Sequence, residues 1–155
     1  MEDSVEKKLH DYLTSIDKLY EQVREWLHEE GLNEVTTEIV MEEARPGKYT
    51  ANKMTVIDSS GKPLAEIAPK GAWIIGADGR VDVVGHVQSE VLVYWGSGSP
   101  EFDMPEPDNG TFRKERLFKD AVKTGWYWIE DKKFGRARPL TKQLLLDLIE
   151  EVQPL

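Results

Sequence analysis

The chain has 155 residues with a net charge of −9, of which 39% are hydrophobic and 32% charged, and it contains no cysteine. This composition describes a globular chain large enough for one core, and it excludes disulfides, thiolate catalysis and cysteine-held zinc. Residues 1–110 hold 10 Lys+Arg against 22 Asp+Glu, a balance of −12, so most of the surface repels a nucleic-acid backbone.

The N-terminal segment opens with MEDSVEKKLHDYL, which lacks the basic start and continuous apolar run of a secretory signal. Val5, Leu9, Tyr12, Leu13, Ile16, Leu19, Tyr20, Val23, Trp26 and Leu27 then recur at helical spacing. A helix is expected over residues 4–30, with Asp3 as cap, Glu6 reaching back to it and Gly31 as a left-handed terminator. The apolar stripe also fits a seven-residue count in three rows. That width suits a helix lying on a sheet. A homodimer through this helix is the sharper alternative.

Residues 34–95 read as an antiparallel meander. Glu34–Glu43 and Tyr49–Asp58 alternate around the turn Arg45–Lys48, and Pro63–Ala68 follows a second turn at Ser59–Lys62. Ala72–Ala77 is expected to pair with Arg80–Gly85 across Asp78-Gly79, a strong hairpin signal. Glu90–Trp95 completes a sheet of about six strands, and an open sheet and a partial barrel are both compatible with strands this short. The apolar runs Ala72–Ile75 and Val91–Trp95 are far too short to span a bilayer, so no membrane association is expected and the cytoplasm is the expected compartment.

Residues 96–110, GSGSPEFDMPEPDNG, hold three prolines, three glycines and four carboxylates and are expected to form a long acidic loop. A loop of this length is a candidate binding element, with Glu101 and Asp103 as its charged contacts. The carboxylates Glu101, Asp103, Glu106 and Asp108 lack the spacing and glycine of a calcium loop.

Residues 111–155 hold 10 Lys+Arg against 7 Asp+Glu, a balance of +3. Arg113–Thr124 reads as a short helix with Leu117, Phe118, Ala121 and Val122 inward. The stretch GWYWIEDKKFGRARPL then sets Trp126 and Trp128 on one face of a strand and Tyr127 and Ile129 on the other. A strand apolar on both faces belongs in a core. Phe134, Arg136 and Arg138 return on one side, and a guanidinium beside an exposed aromatic ring is a stacking platform for an anion or a base. Thr141 caps a last helix with Leu144, Leu145, Leu148, Ile149 and Val152 inward, and Leu140 can staple onto Leu145. The cations of residues 113–142 either compensate the acidic remainder or offer a local contact to an anionic partner or nucleic acid.

No catalytic or metal-ligating set stands out. His10 and His28 lie about 27 Å apart on the first helix, and His86 ends a strand alone. No phosphate loop, dinucleotide fingerprint or nucleophile elbow occurs, and no cofactor is expected. The expected fold is α+β over 1–155 as one domain: a long N-terminal helix on an antiparallel sheet, and a C-terminal helix-strand-helix unit. The expected function is a small acidic protein-binding module, an adaptor or stoichiometric inhibitor meeting a basic partner. A small-molecule binder or enzyme with a pocket lined by Trp126, Trp128 and Arg136 is the alternative.

Overall fold

The computed structural model describes residues 2–108, 110–119, 121–131 and 135–155. In chain order the elements are α1 (Glu2–Glu29), β1 (Asn33–Glu43), β2 (Gly47–Ile57), β3 (Pro63–Gly71), β4 (Gly79–Val84), β5 (Ser89–Trp95), β6 (Glu101–Pro105), β7 (Phe112–Arg116), β8 (Gly125–Asp131), β9 (Arg136–Pro139) and α2 (Lys142–Val152). Seven strands form one antiparallel sheet in the order β1-β2-β3-β4-β5-β8-β9, while β6 and β7 pair only with each other. The fold is α+β, and the large sheet is open, with β1 and β9 as its edges.

The apolar stripe of α1 meets the sheet. Tyr12, Ile16, Leu19, Tyr20, Val23 and Leu27 are buried against Met54, Val56, Ile67, Val81, Val83 and Leu92, and the inward face of α2 closes the same core. Two tyrosines pin α1 through their polar tips. The Tyr12 hydroxyl donates to Arg80 O at 2.8 Å and accepts from the Gly71 amide at 3.1 Å, and the Tyr20 hydroxyl donates to Asn52 O at 2.6 Å. Burial pushes both phenols well above the ordinary tyrosine value. Gly31 ends the helix with φ +73°, and the Leu32 amide reaches back to Leu27 O at 2.9 Å, the terminator expected of a glycine there. The helix begins at Glu2, so Asp3 falls inside its first turn rather than ahead of it.

Three expected elements differ. Ala72–Ala77 is a connecting loop, and β4 pairs instead with β3 and β5. Distant side chains hold that loop. The Glu43 carboxylate accepts from the amides of Ala72 and Trp73, at 3.2 and 3.1 Å, and from the Tyr49 hydroxyl. Trp95 Nε1 donates to Gly76 O at 2.7 Å. β3 runs on through Pro69, which lies opposite Val81 of β4 and beyond Ile67, the last residue paired with β2.

Among the described residues of 113–124 there is no helix. Residues 112–116 are β7, and Leu117 and Val122, expected inward, are 50% and 53% exposed. Phe118 and Ala121 are buried as expected, but Ser99 holds them. Its hydroxyl donates to Phe118 O at 2.9 Å, and its amide donates to Ala121 O at 2.7 Å. The C-terminal unit is therefore two strands and a helix. α2 starts where expected, with the Leu144 amide donating to the Thr141 hydroxyl at 3.2 Å.

Candidate functional site

Both faces of β8 are occupied. Register sets Trp126 beside Tyr94, and Trp128 between Leu92 and Arg138. The two indoles are half-buried at the margin of the core beneath the helices. Trp126 Nε1 donates to Ser15 O at 3.1 Å, and its ring lies 5.5 Å from that of Tyr94. Tyr127 faces the other way into a second, smaller core with Val93, Trp95, Phe118, Ala121 and Ala137.

A cation does stand over an indole. Arg138 Cζ is 5.9 Å from the Trp128 ring centroid, and its guanidinium is 4.0 Å from the Glu130 carboxylate. Trp128 Nε1 donates to Glu90 at 3.0 Å. A concavity of about 380 Å³ beside them is walled by Asp147, Glu150 and Glu151 of α2, so carboxylates outnumber cations around this ring. Arg136 is exposed, opposite Asp131. Phe134 lies outside the described residues.

Glu101 and Asp103 are in β6, and each is matched by a cation from β7. Arg116 lies 3.0 Å from Glu101, and Lys114 lies 3.7 Å from Asp103. Lys142 pairs likewise with Glu30 at 2.9 Å. Much of the basic segment thus lies against carboxylates rather than forming one cationic surface.

The β6–β7 ribbon has two unlike faces. Alternation puts Glu101 and Asp103 on one face, opposite Arg116 and Lys114. Phe102 and Met104 stand on the other face, opposite Glu115 and Arg113, and are 42% and 36% exposed. Phe112, opposite Pro105 near the tip and so on the face of Glu101 and Asp103, is 67% exposed. The base is well held: Arg116 donates to Ser97 O and Ser99 O, and the Leu117 amide donates to Pro100 O at 2.8 Å. Part of the segment 96–110, expected as loop from its prolines and glycines, is therefore strand β6. The signal was present in the alternation of EFDMP, with FRKER supplying opposite charges a few residues on.

A groove of about 930 Å³ runs between α1 and the ends of β5 and β8. Tyr94 and Trp126 form its aromatic wall, and Lys7, Lys8, His10 and Lys18 project from α1. Its two carboxylates are engaged: Asp11 with Lys7 at 2.7 Å and Asp78 with the Gly96 amide at 2.7 Å. Burial, with Asp78 and Asp11 nearby, raises the Tyr94 phenol. Trp126 therefore belongs to this groove and Trp128 to the smaller concavity; the strand does not bring them into one pocket. His28 lies 2.9 Å from Glu34. Among the described residues no three His, Asp or Glu side chains gather as a metal site, and no helix is long and apolar enough to cross a membrane. Comparison with known protein families, curated proteins and solved structures returned no match.

Proposed function

We propose that this protein is a binding module, an adaptor or stoichiometric inhibitor, whose partner docks on the β6–β7 ribbon. The observation that supports this reading is a ribbon on which Phe102 and Met104 stand exposed on one face, beside the Arg113–Glu115 ion pair, and Phe112 stands exposed on the other, beside the ion pairs of Glu101 and Asp103. A two-stranded ribbon gains little stability by itself, so its anchored base costs order that its own chain does not recover at the tip. A partner that covers Phe102 and Met104 recovers about 1.5–3 kcal/mol for each. The acidic surface elsewhere favours a basic partner and speeds its approach.

The double variant Phe102→Ser, Met104→Ser separates binding from folding. It is expected to melt within about 0.5 kcal/mol of the native chain, as exposed positions do. A photo-crosslinker at position 113, opposite Met104 on the face of Phe102 and Met104, should capture one dominant protein from native cells in the parent chain. That band should vanish in the double variant. A band that persists in the variant removes the ribbon as the docking element.

A second reading, a small-ligand binder, is favoured by the groove on α1. Its volume is in the range of small-molecule sites, its carboxylates are already engaged, and Lys18 makes no ion pair among the described residues. A planar anion fits an aromatic wall with a cation beside it. Thermal shift across a panel of nucleotides and aromatic carboxylates tests this. A rise in Tm that disappears in Lys18→Glu supports the reading, and no rise across the panel ends it.

A further inference from the structure

The two edges of the large sheet are built differently. β9 has four residues, two arginines and a proline, the features by which edge strands avoid unwanted pairing. β1 has eleven residues and runs in unbroken register from Asn33 opposite Ile57 to Glu43 opposite Gly47. It contains no proline, no lysine and no bulge. Its free side is a straight row of backbone donors and acceptors about 37 Å long, at 3.4 Å per residue.

The charge on this edge has one sign, since all four of its ionisable residues are glutamates. Two are engaged within the chain: Glu34 by His28 and Arg24, and Glu43 by Tyr49 and the amides of Ala72 and Trp73. Glu38 and Glu42 are exposed and share a face of the strand, with Val40, 70% exposed, between them. An added strand therefore meets, on that face, a carboxylate, an isopropyl group and a carboxylate at two-residue steps.

We infer that β1 accepts an extended basic segment of another protein as an eighth strand, reading the pattern Lys/Arg-x-Val/Ile-x-Lys/Arg. Main-chain hydrogen bonds supply the attachment, and the two cations opposite Glu38 and Glu42 set the register. A second copy of this chain is disfavoured in the register centred on Val40. Antiparallel pairing about Val40 sets Glu38 of each copy against Glu42 of the other, and like charges directly opposite destabilise a pair. The inference is independent of the ribbon and uses a different surface.

The test uses the full chain and a fluorescein-labelled peptide, Thr-Lys-Thr-Val-Thr-Lys-Thr, followed by anisotropy and amide exchange. The expected result is saturable binding, new protection of β1 amides, and loss of about tenfold or more in affinity for Glu38→Lys, Glu42→Lys. The melt of that variant should match the parent. The Phe102→Ser, Met104→Ser variant should bind the peptide as the parent does. A peptide N-methylated at every residue keeps its charge but has no backbone N–H to give to the ladder, and should not bind. The inference is overturned if the N-methylated peptide binds equally, if protection appears away from β1, or if no binding is seen. It is also overturned if sedimentation shows a dimer whose β1 amides are protected without peptide, which would make a second copy the occupant.

Discussion

Gly85→Ala is expected to destabilise the protein by about 3 kcal/mol or more, in the upper part of the range for overpacking. Gly85 follows β4 and opens the turn to β5, its amide donating to Gln88 O at 2.9 Å. A Cβ there would lie 1.6 Å from Val152 O and 2.4 Å from Val152 C. Both are backbone atoms, so no side-chain rotation relieves the clash. The next residue confirms how close the two segments run, since the His86 amide donates to Pro154 O at 2.7 Å. To admit one methyl group the last turn of α2 must lift, and Leu148, Ile149 and Val152 leave the core with it. Gly85 does not adopt a positive φ, so alanine brings no backbone strain of its own there. Gly61→Ala is the matching control. Its φ is +85° with nothing within 4 Å of the added carbon, so it should cost only about 1–2 kcal/mol through backbone conformation. Urea denaturation of both variants checks the pair. Equal losses would mean that the end of α2 is loosely seated.

Gly85 also marks the limit of what local patterns carry. Nothing around it in the sequence announces that residue 152 sits against it. The two helices were legible because their stripes repeat at 3.6 residues and end in recognised signals, Gly31 for one and Thr141 for the other. Most of the meander was legible from alternation and turn residues. The failures share one cause. Ala72–Ala77 alternates little and is apolar enough for a strand, yet its amides go to Glu43, some thirty residues earlier. Arg113–Thr124 has residues at helical spacing, yet Glu101 and Asp103 draw its first part into a ribbon, and Ser99 binds the backbone of its second. In each case a side chain far along the sequence outweighs a local preference. Strand β8 is apolar on both faces, as its alternation of Trp126 and Trp128 with Tyr127 and Ile129 implies. The cover on its second face is not legible, because it comes from Phe118 and Ala121, which lie in no helix or strand.

Ile16→Asp tests the most legible element. Ile16 is 1% exposed, midway along α1 between Tyr12 and Tyr20, whose hydroxyls are tied to the sheet on either side. Those ties leave α1 little freedom to rotate the new side chain toward water. A carboxylate there has no partner among the side chains that surround Ile16 in the core, which are hydrocarbon and aromatic. The cost is several kcal/mol, a large part of the 5–15 kcal/mol that holds a domain of this kind together. The expected result at neutral pH is no cooperative melt and far-ultraviolet dichroism of an unfolded or loosely collapsed chain. The sign of the pH dependence follows from the burial. A carboxyl forced into this core has its folded-state pKa raised above the unfolded value of about 3.9, so relative to the parent the variant recovers as pH falls toward 4 and is penalised in full at neutral pH. Lys18→Asp places the same carboxylate two residues on, at an exposed position, and should change stability by less than about 0.5 kcal/mol. If Ile16→Asp melts cooperatively near the native temperature at pH 7, α1 does not face the sheet in solution. The apolar stripe would then be available to a partner helix, which would return the homodimer to the front.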